Sequence, residues 1–163
     1  MNRDPRKTEP FDDVPLSALL QAARATYSHA VRDAQIRVGC GDLPGTGRYI
    51  VSAMHWSGAS LESVIRWMGV SKQAVGQAVD LLVVRGYLER SRDTLDRRRV
   101  NLTLTARGQK AGKAARSAIE RVDRALQDCV GPRHIAHARA TLVALLEMEH
   151  TTRGFSVVPG VES

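Results

Sequence analysis

Apolar residues recur at helical spacing along most of the chain. The first such run starts at Pro15, a residue tolerated in a first helical turn, and it predicts a long helix with one apolar face. Its apolar positions are Leu16, Leu19, Leu20, Ala23, Tyr27, Val31, Ala34 and Val38. Glycines in residues 39–47 then interrupt the periodicity, and a second helix is predicted from Tyr49 to near Gly58.

Two shorter helices follow, and a glycine separates them. Ser60 can cap the first, which Gly69 ends, and Ser71 can cap the second, which Gly86 closes. Their inner faces are Leu61, Val64, Ile65 and Met68 in the first helix and Val75, Ala78, Val79 and Leu82 in the second. Helix, tight glycine turn and helix form the helix-turn-helix pattern.

The segment that follows alternates with a period of two, which predicts a strand and not a helix. Val100, Leu102 and Leu104 share one side of it, and Arg99, Asn101 and Thr103 share the other. The bend before this strand carries Asp93, Asp96, Arg97 and Arg98. A hairpin at this place is a wing. The fold class predicted is therefore mainly α with a small β-hairpin wing, a winged helix-turn-helix lobe flanked by N- and C-terminal helices.

Two more helices are predicted after the wing. Thr105 can cap a long one, Gly131 and Pro132 break it, and a last helix ends near His150. Their apolar positions are Ala111, Ala114, Ala115, Ala118, Ile119, Val122 and Leu126, and then Ile135, Ala138, Leu142, Leu145 and Leu146. A small winged module cannot cover these stripes and that of the first helix, which favours a dimer. A coiled-coil homo-oligomer with another purpose is the alternative.

Basic residues are concentrated in one part of the chain. The net charge is +7, and residues 85–116 hold ten basic against three acidic residues, so that the remainder is neutral. The ten are Arg85, Arg90, Arg92, Arg97, Arg98, Arg99, Arg107, Lys110, Lys113 and Arg116. Such a local excess indicates a surface for nucleic acid or phosphate, with a solvated charged face as the alternative. Membrane binding is not expected, because the run is not part of a strongly hydrophobic amphipathic helix.

The composition excludes several other classes. The length of 163 residues suffices for a buried core without disulfides. Cys40 and Cys129 have no metal-ligand spacing, and no secretory signal or spanning segment is recognised, so a cytoplasmic protein with reduced thiols is expected. The sequence has no glycine-rich phosphate loop, nucleophile elbow or HExxH motif. We therefore expect no enzyme activity, no metal and no cofactor.

Two stretches resemble the MarR family of transcription regulators. GVSKQAVGQAVDLLVVRGYLER resembles the recognition helix and strand entry of the family, and DTLDRRRVNLTLTARG resembles its DxxDRR and LTxxG wing. With the flanking helices in the expected order, the resemblance covers residues 15–150. PadR-like regulators are the nearest alternative, but they usually lack both the long first helix and the DRR element.

The resemblance implies a homodimer that binds a pseudo-palindromic operator, commonly as a repressor that a small aromatic or anionic effector releases. It divides the chain into a flexible arm (1–14), an N-terminal dimerisation helix (15–42), a winged helix-turn-helix DNA-binding domain (43–108), C-terminal dimerisation helices (109–150) and a flexible tail (151–163). By the same resemblance Arg98 enters the minor groove, Asp96 holds its guanidinium group, and Arg97 contacts a phosphate.

The second helix of the helix-turn-helix pattern also carries polar residues suited to double-stranded DNA. Ser71 lies at its N-terminus, where a phosphate can bind, and the outward residues Lys72, Gln73 and Gln77 can reach base edges or phosphates. Ordinary solvated side chains are the alternative for each. Asp80 is expected to form a structural ion pair instead of contacting DNA.

Two residues of this helix depart from the family pattern. Gly76 stands in the helix interior, where hydroxyl residues are common in the family, and there it costs about 1 kcal/mol relative to alanine. Close approach of the helix to DNA would explain the glycine. Gln77 stands where the family frequently has a basic residue, so weaker phosphate contact is expected there.

An effector pocket would lie between the dimer helices and the winged lobe. Its candidate residues are Tyr27, Tyr49, His55, Trp56 and Trp67, although packing in the core is the favoured interpretation of each. Redox sensing is a further alternative, but Cys40 and Cys129 have no evident activating neighbours in the sequence.

The function predicted is that of a sequence-specific DNA-binding regulator. A different class, a dimeric interaction module or anti-repressor that keeps the fold without binding an operator, is the alternative. A salt titration of duplex binding distinguishes the two, because a protein that neutralises several phosphates loses affinity steeply as salt rises.

Overall fold

The computed structural model describes residues 11–57, 72–92 and 100–154. Within them the chain forms five helices and one two-stranded antiparallel sheet. The elements are α1 (Leu16–Arg37), α2 (Gly45–Ser57), α3 (Lys72–Val84), β1 (Leu88–Arg92), β2 (Val100–Leu104), α4 (Ala106–Val130) and α5 (Pro132–Gly154). The chain divides into two compact units, residues 1–120 and 121–163. The mainly helical fold with a hairpin wing is thus confirmed.

The first unit has its core between α2, α3 and the start of the hairpin. The buried apolar side chains there come from α2, α3, β1, α4 and the segment between α1 and α2. They are Cys40, Leu43, Ile50, Val51, Met54, Val75, Val79, Leu82, Tyr87, Leu88 and Ala111. Val75, Val79 and Leu82 are the inner positions predicted for α3, and Ala78 packs against the same cluster. The helical spacing of α3 therefore identified its buried face correctly.

The hairpin pairs β1 with β2 over five residues. Leu88 lies opposite Leu104, and Arg90 lies opposite Leu102. Leu102 and Leu104 pack against the core, while Asn101 and Thr103 are exposed, as the period of two predicts. The wing tip, with Asp96, Arg97 and Arg98, lies outside the described residues.

Helices α1 and α3 end in the same kind of turn. Gly39 has φ +79°, and the N–H groups of Gly39 and Cys40 donate to the carbonyls of Ile36 and Gln35 at 3.0 and 2.8 Å. Gly86 has φ +69°, and here the donors are the N–H groups of Gly86 and Tyr87, with Val83 and Leu82 as acceptors at 3.0 and 2.8 Å. This double pattern is the Schellman motif, which needs a left-handed residue that glycine adopts without strain. The residue after each glycine, Cys40 or Tyr87, is buried.

The start of α4 is fixed by the LTxxG segment. The Thr105 side chain caps the helix, because its Oγ1 accepts the N–H of Gly108 at 3.1 Å. A Cβ at Gly108 would lie 2.2 Å from the carbonyl oxygen of Tyr87, and one at Gly112 would lie 2.4 Å from the Cβ of His55. Both glycines therefore allow α4 to pack directly against the winged lobe. The predicted Thr105 cap is confirmed.

Helix α1 begins directly after Pro15, as predicted, but few of its side chains are buried. Only Ala34 and Gln35 of this helix are fully buried, both near its C-terminal end. The Gln35 amide donates from Nε2 to the carbonyl of Ala111 in α4 at 3.3 Å. At the other end Leu16 is exposed. Helix α1 is therefore attached to the rest of its unit mainly at one end.

The second unit comprises the end of α4 and α5. Gly131, with φ +82°, separates the two helices, and Pro132 starts α5. Exposed apolar side chains are frequent on α5. They are Leu142, Val143, Leu145, Leu146 and Met148. None of the helices in the described ranges is long and apolar enough to cross a membrane.

Two helix boundaries differ from the sequence prediction. Helix α2 begins at Gly45 and not near Tyr49, because the Pro44 carbonyl accepts the first helical hydrogen bond, from Arg48 at 2.8 Å. Gly47 lies against Leu82, where a Cβ would come within 2.9 Å of that side chain, so the glycine serves packing. Helix α5 continues to Gly154, four residues beyond the predicted end at His150, because no glycine or proline interrupts it earlier. The helix predicted from Ser60 lies outside the described residues.

Candidate nucleic-acid interface

Helix α3 presents a polar face opposite its apolar one. Gln73 and Gln77 are exposed and one helical turn apart, while Val75 and Val79 point into the core. Lys72 is the first residue of α3, and Ser71 lies outside the described residues. Two amide side chains on one exposed face can each pair bidentately with a base edge.

Gly76 lies between these glutamines and is also exposed. A Cβ built at Gly76 would have no heavy atom within 4 Å. Packing within the described part of the chain therefore gives no reason for a glycine here. The position leaves the helix backbone accessible from outside.

An ion pair joins α3 to the wing. The Arg90 guanidinium on β1 donates from Nη2 to Oδ1 of Asp80 on α3, and both side chains are about half exposed. The structural ion pair expected for Asp80 is thus present. On the opposite face of the hairpin, Thr103 donates to Glu89 at 3.1 Å. The first strand of the wing and the exposed face of α3 are therefore held to one another by charge as well as by the core.

Several of the ten clustered basic residues are engaged within the protein. Arg90 pairs with Asp80, Arg116 pairs with Glu120 at 2.8 Å, and Arg107 pairs with Asp42 at 2.9 Å. Arg85 donates to the Asp42 carbonyl. Lys110 and Lys113 are exposed on α4. The excess of positive charge counted along the sequence is therefore partly offset in space by acidic groups from other segments.

Asp42 is the acidic residue that the sequence analysis did not identify. Its Oδ1 accepts a hydrogen bond from the Tyr87 hydroxyl and one from Nη2 of Arg107, and its backbone carbonyl accepts from Arg85. Arg107 also stacks on the Tyr87 ring, with 4.3 Å between its guanidinium carbon and the ring centroid. Since Asp42 lies in an aperiodic segment, no spacing rule connects it to residues 45 and 65 positions further along. The four residues Asp42, Arg85, Tyr87 and Arg107 are called the Asp42 cluster below.

The Asp42 cluster changes the acidity of two of its members. The hydrogen bond from Tyr87, and then the charges of Arg107 and Arg85, lower the pKa of Asp42 and outweigh the opposing effect of desolvation. Burial raises the pKa of Tyr87, and its hydrogen bond to Asp42 and the neighbouring Cys40 raise it further. The cluster therefore consists of a charged carboxylate, a neutral phenol and two guanidinium groups.

The candidate effector residues fall into two groups. Tyr49 and Trp56 are 53% and 49% exposed, so the favoured interpretation that they pack in the core is wrong for these two. Tyr27 and His55 are partly buried, and His55 is hydrogen bonded through Nδ1 to Gln109 at 2.9 Å. Trp67 lies outside the described residues.

Trp56 and His55 both contact α4. The Arg116 guanidinium lies over the Trp56 ring at 5.9 Å, and the side chain of His55 lies against Gly112. A guanidinium group can pair with an anion, and an exposed ring beside it can stack on a flat molecule. Tyr27 lies on a different helix, α1.

The cysteines lie in different surroundings. Cys40 is buried in the core of the first unit, and Cys129 is exposed near the end of α4. Within the described ranges no three His, Cys, Asp or Glu side chains lie close enough together to hold a metal ion.

Part of the chain matches the sequence model of a known protein family. The family model described as "MarR family" matches residues 59–99, which include α3 and most of the wing. No curated protein sequence matches the chain significantly.

Solved structures resemble the chain over most of its length. The MepR–DNA complex of S. aureus has a TM-score of 0.66 and 16% identity, covering 83% of this chain and 99% of that one. The regulator MarR of Oenococcus oeni PSU-1 has a TM-score of 0.63 and 15% identity, covering 82% and 99%. A MarR regulator of Methanosarcina mazei Go1 has a TM-score of 0.62 and 18% identity, covering 84% and 94%. At these identities the likeness concerns the fold.

Proposed function

We propose that the chain is a winged helix transcription regulator of the MarR family, whose model matches residues 59–99, and that it binds a pseudo-palindromic operator as a homodimer and represses transcription from it. The family is one of DNA-binding regulators and not of enzymes. The observation that carries the proposal is the exposed polar face of α3, with Gln73 and Gln77, beside a wing hairpin whose tip segment is rich in arginine. We place the protein in the cytoplasm, where such a regulator meets DNA.

Helix α3 is assigned to the major groove in this proposal. Its exposed glutamines suit adenine edges, and its N-terminal residues Ser71 and Lys72 suit phosphates. The Asp80–Arg90 pair supports this arrangement, because it neutralises a carboxylate that would otherwise face the DNA backbone. Ser71, Lys72, Gln73 and Gln77 are therefore the residues proposed to contact DNA from this helix.

The wing is assigned to the minor groove. A narrow minor groove concentrates negative potential, and an arginine at a hairpin tip reaches into it where a helix cannot. Arg98 takes this role in the proposal, with Asp96 orienting it and Arg97 on a phosphate. Arg107 and Arg85 are not assigned to DNA, because Asp42 engages both.

Two further parts of the proposal follow from exposed apolar and aromatic surfaces. The apolar side chains of α5 and Leu16 of α1 are exposed, which supports a dimer built from the terminal helices. For effector release we propose a small aromatic anion that stacks on Trp56 and competes with Glu120 for the Arg116 guanidinium beside that ring.

The test compares Arg98→Ala with Lys110→Ala on one operator, selected by the protein from random duplexes, and on a version with G·C flanks. Arg98→Ala should lose affinity in a way that depends on the flanks, because minor-groove width depends on sequence. Lys110→Ala should reduce the salt slope by about one and weaken all duplexes alike. Thermal denaturation serves as the control and should be nearly unchanged for both variants.

Two results would contradict the proposal. Equal, flank-independent losses for the two variants would make the wing tip a generic basic surface. A protein that sediments as a dimer but binds no duplex at low salt would favour the interaction module or anti-repressor instead.

A further inference from the structure

Three separate segments of the chain meet at the Asp42 cluster. Asp42 lies just after α1, Arg85 and Tyr87 lie in the turn between α3 and β1, and Arg107 is the second residue of α4. Arg107 also donates from Nη1 to the carbonyl of Arg85 at 2.6 Å. The cluster therefore joins the end of α1 to the end of α3 and to the start of α4.

The helix ends on both sides of the Asp42 contact have the same backbone geometry. Each is a Schellman turn closed by a left-handed glycine, Gly39 or Gly86, and each is followed by a buried side chain, Cys40 or Tyr87. Asp42 therefore links two helix ends whose backbone hydrogen bonds are each closed by a Schellman turn.

Helix α1 depends on this attachment more than the other elements of its unit do. Its fully buried residues are Ala34 and Gln35, in the last turn, and the segment after it contributes the buried Cys40 and Leu43. The apolar contacts hold the end of α1 in the lobe but are not directional, whereas hydrogen bonds to a charged carboxylate are. Two directional contacts therefore accompany the apolar ones: the neutral hydrogen bond from Gln35 to the Ala111 carbonyl, and the Asp42 cluster, which is the charged one.

We propose that Asp42 is a positioning residue that fixes the direction of α1 relative to the winged lobe and thereby sets the half-site spacing that the dimer accepts. This inference rests on the proposed function, since it needs a dimer and an operator with two half-sites. If the terminal helices form the dimer, the separation of the two α3 helices depends on the angle at which each lobe is attached to its α1.

The first experiment measures spacing preference. The DNA is a duplex selected by the protein from a random-sequence library, prepared with the selected spacing, with one base pair inserted or removed, and as a single half-site. Asp42→Asn keeps an acceptor oxygen for Tyr87 but removes the charge that holds Arg107. We expect the affinity ratio between the selected and the altered spacings to fall at least fivefold, while half-site affinity changes less than twofold.

Two companion variants test whether a change in spacing preference comes from the Asp42–Arg107 pair. Arg107→Gln breaks the same pair from the opposite side and should reproduce the change in spacing preference. Glu120→Gln makes the same chemical change in another arginine–carboxylate pair, with Arg116 inside α4, and should leave the preference unchanged. A role in stability alone would weaken half-site and full-site binding by the same factor in Asp42→Asn.

A second experiment uses no DNA. Spin labels on Glu89→Cys, an exposed position of β1, report the distance between the two lobes of a dimer in a Cys129→Ser background. The distance distribution should broaden or shift in Asp42→Asn and not in Glu120→Gln.

The possible failures can be told apart. Wild-type protein that binds no duplex would refute the proposed function and this inference with it. Wild-type binding with an unchanged spacing ratio in Asp42→Asn, or with equal losses on half and full sites, would refute only the inference. An unchanged distance distribution would do the same.

Discussion

Gly76→Ala should make the protein more stable and a weaker DNA binder. Gly76 is exposed in the interior of α3, and the added Cβ would have no heavy atom within 4 Å. Alanine is favoured over glycine in a helix interior by about 1 kcal/mol, so the free energy of unfolding should rise by roughly that amount. For a chain of this size the increase corresponds to a melting temperature about 2–4 °C higher.

The DNA affinity of the same variant should move in the opposite direction. If the backbone of α3 touches the operator at Gly76, a methyl group there displaces the helix by part of an ångström or more. A tenfold loss of affinity, which is about 1.4 kcal/mol, is then expected. Thermal denaturation and duplex titration at one fixed salt concentration measure the two effects on the same preparation.

Ser117 in α4 offers a control for the Gly76→Ala variant. Ser117→Ala improves helix propensity at an exposed position of α4, so it should raise stability slightly without changing DNA affinity. A Gly76→Ala protein that is more stable and binds its operator as tightly as before would show that DNA contact does not explain this glycine. A lower free energy of unfolding would show that the added methyl group is not in open space.

Three further changes test other parts of the structure. Gly108→Ala should destabilise the fold by about 3 kcal/mol in urea denaturation, because the added Cβ would meet the Tyr87 carbonyl oxygen at 2.2 Å. The pKa of Asp42 is lowered in the folded state, so its charge stabilises the fold above about pH 4 and loses that effect below. The difference in free energy of unfolding between the wild type and Asp42→Asn should therefore become smaller from pH 5 to 3. Gln73→Ala and Gln77→Ala should each relax base preference at one operator position by about 1–3 kcal/mol, measured on single-substitution duplexes.

The sequence predicted those parts of the fold that depend on local pattern. The apolar faces of α3 and β2, the cap at Thr105 and the left-handed turn at Gly86 each follow from neighbouring residues, and each is present. The start of α2 was missed because its glycines looked like a break, whereas Gly47 is needed for contact with Leu82. Tertiary packing, which no local pattern reveals, decides such positions.

The candidate site was predictable to a similar degree. Gln73 and Gln77 are exposed on the face that helical spacing assigns to them, and Asp80 forms the expected ion pair. Asp42 could not be found, because its partners Tyr87 and Arg107 are 45 and 65 residues away along the chain. The same contact also explains why charge counted along the sequence overstates the basic surface.

Because α1 is long, a small change in its angle at the attached end becomes a large displacement of its far end. With 22 residues at 1.5 Å each, the helix is about 33 Å long and acts as a lever pivoting on Ala34, Gln35 and the segment after them. A tilt of about 5° at the pivot moves the far end by about 3 Å, close to the ~3.4 Å rise of one base pair. If Asp42 sets the direction of α1, as proposed, such a tilt would change the spacing between the half-sites by about one base pair while the residues proposed to contact bases stay the same.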